Sequence, residues 1–247
     1  MSEIIKVENV SKSFGGVKAN IDITLNVKKG SITGIIGPNG CGKTTLFNSI
    51  VGYHPIDTGT IEFDGKEIHH LLVGDIARLG MLRTFQQTRI YNKMDCVDNM
   101  QISVSHRPGS KASIFSSRKG EIRERAEHLL EFVGLYSKRN LISGDLSFGQ
   151  QKLLEFAMAL MNEPKILLLD EPTAGINPTL INGLIDRLQS ANEELGITLC
   201  VIEHNMRVIM NLASDIYCLS NGKMLASGKP EKLQNDPRVI DAYLGGH

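Results

Sequence analysis

The chain has 247 residues, 41% of them hydrophobic and 22% charged. That is enough to bury a full-sized core, as one large α/β domain or as a core domain with a smaller satellite. Its 27 Lys and Arg balance 27 Asp and Glu, giving zero formal net charge, which argues against a dedicated nucleic-acid binder, a class with a basic excess. Four widely spaced cysteines, Cys41, Cys96, Cys200 and Cys218, include no C-x-x-C pair and point to a reduced, cytosolic protein rather than a disulfide framework or zinc site.

The opening residues, MSEIIKVENV, place an acid at position three and lack an apolar leader core, so no signal peptide is expected. No apolar run approaches the roughly 18 residues that span a bilayer, and any membrane role is expected to be peripheral, through partner subunits. Residues 4–10 and 21–27 alternate as strands do, apolar at Ile5 and Val7 and at Ile21, Ile23, Leu25 and Val27. The Ser13-Phe14-Gly15-Gly16 turn lies between them. From the residue alone, Phe14 is a core anchor or a face on which a nucleobase stacks, and core is the commoner fate.

Residues 31–36 (SITGII) form a β-branched run expected to be a buried strand, and residues 45–51 the first turns of a helix. Between them Gly37-Pro38-Asn39-Gly40-Cys41-Gly42-Lys43-Thr44-Thr45 fits G-x-x-x-x-G-K-[ST], the phosphate-binding P-loop. Gly37, Gly40 and Gly42 permit φ > 0 and bring backbone N–H groups close to a polyphosphate. The helix dipole favours the negative charge, Lys43 can reach the β and γ phosphates, and the Thr44 hydroxyl can ligate Mg²⁺.

Gly52 is expected to close that helix, and residues 58–65 to form a short strand and turn. Arg83-Thr84-Phe85-Gln86-Gln87 follows a strand-like segment, and a glutamine there is ordinarily a polar surface residue. From about 87 to 161 the pattern turns helical. Residues 94–104 are one candidate, and 106–118 (HRPGSKASIFSSR) a basic loop. A third segment, 121–133, is apolar at Ile122, Ala126, Leu129, Leu130 and Val133, with Gly134 as its cap. Leu146-Ser147-Phe148-Gly149-Gln150-Gln151 opens a helix running to Met161. Ser147 is placed as its N-cap, or else Ser147 and the Gly149 backbone are donors at a second anion-binding helix end.

Residues 166–169 (ILLL) are a buried parallel strand by pattern, ending in Asp170-Glu171-Pro172. Ligands of open α/β sheets bind at such strand ends. Asp170 can hold Mg²⁺ directly or through water, and Glu171 can orient or deprotonate an attacking water. A second buried strand, 197–202 (ITLCVI), ends in Glu203-His204; a lone histidine there is more often structural. Asn221-Gly222 between apolar runs signals a hairpin, and residues 230–244 read as two short helices.

The P-loop, Gln86, LSFGQ, LLLDEP and His204, in that order, make essentially the whole chain resemble the ATP-binding subunit of an ABC transporter. The most specific feature is LSFGQ about twenty residues before the Asp-Glu strand. The resemblance implies a P-loop NTPase (RecA-like) α/β core with an antiparallel β subdomain, from 1–86 and 162–247, an inserted helical subdomain at 87–161, and a helical tail at 230–247. It makes Phe14 the adenine-stacking aromatic, Gln86 the Q-loop residue, grouped with Thr44 and Asp170 around Mg²⁺, and His204 the switch histidine near the γ-phosphate. Lys43 and Glu171 join His204 as catalytic residues. Ser147, Phe148, Gly149 and Gln150 become the signature that contacts ATP held by the other subunit, and Asn177 the D-loop residue.

Within that family, Arg83-Thr84-Phe85-Gln86, LSFGQQ, Gly175-Ile176-Asn177-Pro178, Ile202-Glu203-His204-Asn205-Met206 and the ending Asp241-Ala242-Tyr243-Leu244-Gly245 look most like the branched-chain amino-acid importer type. Cys41, Phe148 and Asn177 depart from the wider pattern, the last two in ways frequent in this subgroup. The partners implied are integral membrane permease subunits, a second ATPase subunit of the same or a different kind packed head to tail, and indirectly a substrate-binding protein. The place implied is peripheral, on the cytoplasmic face of the inner membrane. A lipopolysaccharide-type export ATPase, or a urea or aromatic-acid importer, would share most of these features.

Overall fold

The computed structural model describes residues 2–84, 90–104 and 116–244, without the side chains of 116–119, 179 and 244. Gln86, Gly245 and most of the expected basic loop lie outside the described residues.

The chain forms two compact units, one of Met1–Arg83, Lys165–Pro172 and Gln189–His247, the other of Thr84–Pro164 and Thr173–Leu188. In the first, β1 (Glu3–Phe14) and β2 (Val17–Lys28) pair antiparallel. They run longer than the alternating cores predict because the polar residues between Val10 and Ile21 continue the ladder to the Gly15-Gly16 turn. β3 (Ile32–Ile36) leads through the P-loop into α1 (Lys43–Ile50). β4 (Thr58–Phe63) and β5 (Lys66–Glu67) complete a four-stranded sheet of order β2-β1-β4-β5. Next come α2 (Val73–Leu79) and β6 (Met81–Arg83).

The second unit holds α3 (Cys96–Ile102), α4 (Ser116–Phe132) and α5 (Phe148–Leu160). α3 is capped by Asp95, whose side chain accepts from the Asp98 N–H. Buried Asn99 organises the loops beside it: the carbonyls of Tyr91, Met94 and Asp95 and Ser143 Oγ lie 2.9–3.3 Å from its amide nitrogen and share its two protons, and its oxygen accepts from Tyr91 N–H at 2.7 Å. Such full satisfaction is what allows an amide inside a core.

The chain continues through β7 (Ile166–Asp170), α6 (Pro178–Glu193), β8 (Thr198–Ile202), α7 (Met206–Leu212), β9 (Asp215–Ser220), β10 (Lys223–Gly228), α8 (Pro230–Gln234) and α9 (Pro237–Leu244). In the first unit these strands build a six-stranded sheet of order β10-β9-β3-β8-β7-β6, parallel except for the β9–β10 hairpin. Every residue of β3, β7 and β8 is buried, which explains their unbroken apolar runs. One core joins the two sheets to α1, with Phe47, Phe63, Ile5, Ile61 and Leu46 fully enclosed.

Candidate active site

The sheet order makes β3, β8 and β7 adjacent and parallel, so their C-terminal ends lie side by side. The P-loop leaves β3, His204 follows β8, and Asp170 and Glu171 end β7. Three stretches that are far apart in sequence therefore meet at the edge where open parallel sheets bind ligands. Backbone bonds tie the ends together: Glu171 N–H donates to Ile202 O at 2.9 Å, and Glu203 N–H to Ile35 O at 3.4 Å.

The P-loop has the shape its glycines predict. Gly42 sits at φ 105° as the residue before α1, and no side chain caps that helix. Its first-turn N–H groups stay available to an anion. A Cβ on Gly42 would fall 2.2 Å from Ala19 O, and one on Gly37, at φ 146°, 2.2 Å from Leu219 O. Only glycine fits at these two places. The lip at Asn39 and Gly40 is exposed, as is Thr44. The buried Lys43 ammonium donates to the carbonyls of Gly37 at 2.8 Å and Pro38 at 3.0 Å, two bonds it would have to exchange to reach a phosphate.

Cys41 is 3% exposed, and burial pushes its thiol up, with the Lys43 charge partly opposing. The thiolate is the nucleophile. Alkylation of Cys41 is therefore expected to be slow at neutral pH and to keep accelerating about tenfold per pH unit beyond pH 8.5, where an ordinary thiol levels off. Labelling is expected to block nucleotide binding, and bound ATP to protect. A pH series of labelling rates, followed by mass spectrometry, checks this.

Glu171 stands at φ 51°, a left-handed conformation costing a non-glycine residue on the order of 1–3 kcal/mol. The Ile202 contact holds its backbone, and its Oε1 is hydrogen-bonded to His204 Nε2. An ionised carboxylate only accepts, so with Glu171 ionised the pair places the ring proton on Nε2. Buried Glu203 accepts from the N–H groups of His204 at 3.1 Å and Asn205 at 3.4 Å, fixing the backbone that carries the histidine.

Asp170 has a partner that the motifs do not reveal. Arg83 Nη2 donates to Asp170 Oδ2 at 2.5 Å, and the two side chains are 6% and 4% exposed. The same guanidinium donates to Asn48 Oδ1 at 2.5 Å and lies over the Phe47 ring at 5.6 Å. The available signal was an arginine directly after the apolar pair Met81-Leu82, since a buried cation requires a buried anion.

Phe14 is 45% exposed and is not a core anchor. Its ring meets His54 edge-on at 5.1 Å, and the Lys12 ammonium lies 5.3 Å from its centroid. Asp57 accepts from Lys12 Nζ at 3.0 Å and from Ser13 N–H at 2.6 Å, and these donors hold its carboxyl below the ordinary value. The result is a braced, half-exposed aromatic face.

In the second unit Ser147 and Gln150 form a capping box: Gln150 N–H donates to Ser147 Oγ at 3.4 Å and Ser147 N–H to Gln150 Oε1 at 3.1 Å. A serine hydroxyl that accepts one bond still has its proton to donate, so the capping and anion-binding readings are compatible. A Cβ on Gly175 would sit 3.0 Å from the Phe148 ring, and one on Gly149 2.9 Å from Leu180. The LSFGQ turn therefore lies against the loop that carries exposed Asn177. Ser147→Ala is expected to cost about 1 kcal/mol, read from urea midpoints, with Ser147→Thr recovering most of it.

A glycine-loop phosphate cradle with a carboxylate two strands away on the same sheet edge defines a P-loop nucleotide hydrolase. A family model described as "ABC transporter" matches residues 21–174, and one described as "Branched-chain amino acid ATP-binding cassette transporter" matches 223–247. Similar relatives include a protein named probable branched-chain amino acid transport ATP-binding protein LivG, from Archaeoglobus fulgidus. It is 38% identical, with 98% of this chain and 96% of that protein covered. The high-affinity branched-chain amino acid transport ATP-binding protein BraF of Pseudomonas aeruginosa is 37% identical, with 98% of each covered. An ATP-binding cassette of an ABC transporter solved in its ADP conformation superposes with a TM-score of 0.88 at 34% identity, covering 99% of this chain and all of that one. A dimeric cassette in a post-hydrolysis state bound to ADP and Pi gives 0.78 at 27% identity, over 92% and 98%.

The chain belongs to the ABC transporter family of ATP-binding cassette proteins, and it is an ATPase subunit. Both relatives described above carry branched-chain amino-acid transport names.

Proposed function

We propose that this chain is the ATP-hydrolysing motor of a branched-chain amino-acid importer, bound peripherally to permease subunits at the cytoplasmic face of the inner membrane. Its first unit serves as the nucleotide-binding core and its second as the helical signature subdomain. The observation that carries the catalytic part is the Glu171–His204 pair at the β7 and β8 ends, beside the loop that leaves β3. The P-loop N–H groups and Lys43 grip the phosphates, Phe14 offers its face to the adenine, and Glu171 takes a proton from water while His204 fixes the carboxylate's position.

Thr44 and Asp170 suit Mg²⁺. They are oxygen donors, one a hydroxyl at the helix N-terminus and one a carboxylate at a strand end, and no group of three or more His, Cys, Asp or Glu forms a metal cage among the described residues. Mg²⁺ is ordinarily bound by one or two carboxylates plus substrate phosphates. When bound, it neutralises charge on the β and γ phosphates. Two such subunits close head to tail, each ATP lying between one P-loop and Ser147-Phe148-Gly149-Gln150 of the other subunit. Asn177, carried by the loop that packs on that signature turn, joins the same contact. A binding protein delivers the amino acid outside.

Purification of the tagged protein from its own membranes in mild detergent tests the assembly. Two distinct permease subunits with a second, different ATPase are expected. Recovery with periplasm-bridging proteins would make it an exporter, and recovery with ribosomes or DNA alone would refute a transport role. Transport of urea or aromatic acids in reconstituted vesicles, without leucine transport, would reassign the cargo.

A further inference from the structure

The C-terminal segment reaches the P-loop from 206 residues away. Tyr243, in the last turn of α9, accepts a hydrogen bond through its hydroxyl from the Gly37 N–H at 2.8 Å. Gly37 O accepts from Lys43 Nζ at 2.8 Å, so the residue that opens the loop is held by the lysine at one end and by Tyr243 at the other. The same C-terminal part of the chain touches the loop twice more. Leu219 O packs against Gly37 closely enough to forbid a Cβ, and Gly222 N–H donates to Cys41 O at 3.1 Å.

The helix that presents Tyr243 is itself anchored. Asp236 opens α9 by accepting from the Arg238 N–H at 3.0 Å, and Val239 is 2% exposed where the helix packs on β10 and α8. Gly37 is buried, and a buried N–H left without its acceptor is costly.

We propose that Tyr243 is a positioning residue for the P-loop, and that docking of α9 and binding of the nucleotide's polyphosphate are thermodynamically linked through the Gly37 peptide. The proposal rests on the P-loop reading of residues 37–45. A loop already set by Tyr243 gives up less freedom when the polyphosphate enters. Linkage is reciprocal, so a bound nucleotide holds α9 in place as strongly as α9 favours the nucleotide. Burial beneath the loop pushes the Tyr243 phenol up to about 12, which supplies an independent optical signature.

Tyr243→Phe removes the hydroxyl alone and keeps the ring that packs the helix. Calorimetric titration is expected to show affinity for ATP, ADP and inorganic triphosphate falling by a similar factor, about tenfold, because the lost contact acts on the phosphate loop and not on the base. Absorbance at 295 nm is expected to show one late-titrating tyrosine in the parent that is missing in the variant. Saturating ATP is expected to slow carboxypeptidase removal of the C-terminal residues in the parent at least fivefold, and not in Tyr243→Phe. Unchanged affinities in the variant would overturn the proposal. So would a loss for ATP with triphosphate binding intact, or digestion of the parent indifferent to ATP. Lys43→Ala is the companion: if it too binds triphosphate normally, the P-loop reading itself fails, whereas its failure to bind beside a normal Tyr243→Phe would refute only the role of Tyr243.

Discussion

Glu171→Gln is expected to lower ATP hydrolysis by about 10²–10⁴-fold, the contribution of a positioned general base, while ATP binding persists. The amide keeps the size and hydrogen-bonding shape of the side chain but cannot accept a proton from water. The left-handed backbone at residue 171 and the Ile202 contact are independent of the side-chain charge, so the strand end should hold its form. Single-turnover hydrolysis and equilibrium ATP binding, measured side by side, separate the two effects. A Glu171→Gln protein that hydrolyses ATP at the parent rate would remove Glu171 from the chemistry.

The largest stability effect is expected at Arg83. Arg83→Met leaves the Asp170 carboxylate buried without its main counter-ion and frees the amide oxygen of Asn48. Removing one partner of a buried ion pair costs about 3–5 kcal/mol, whereas replacing both by apolar side chains is often near neutral. Urea unfolding is therefore expected to show a large drop for Arg83→Met and a substantial recovery in Arg83→Met/Asp170→Leu. A single variant within 1 kcal/mol of the parent, about the worth of an exposed pair, would mean that the contact contributes no more than a surface salt bridge.

The parts of this protein legible in its sequence are those governed by local physics. β3, β7 and β8 announce themselves because strands buried on both faces admit little but apolar residues. The P-loop is readable because positive φ and close backbone approach leave glycine alone at residues 37 and 42. The Asn221-Gly222 hairpin follows from the same logic, with both residues at positive φ. Contacts between distant stretches were not legible. Nothing near Phe14 tells that His54, Lys12 and Asp57 brace it at the surface, and a bare aromatic in a turn is as compatible with the core.

Arg83 and Asp170 lie 87 residues apart, and Tyr243 and Gly37 lie 206 apart. Only the sheet order, which depends on every strand at once, brings them together. Ser147 is a different case, because capping and phosphate binding ask for the same residue at the same place.

The central claim is that two such chains, or this chain and a partner ATPase, close around ATP to form the hydrolytic site. Sedimentation of the Glu171→Gln protein with and without saturating ATP and Mg²⁺ tests it most directly. The account predicts an ATP-dependent doubling of mass that Ser147→Arg abolishes, or, where the partner differs, the same doubling once that partner is added. A protein that stays monomeric with ATP, alone and with the co-purifying ATPase, would contradict it.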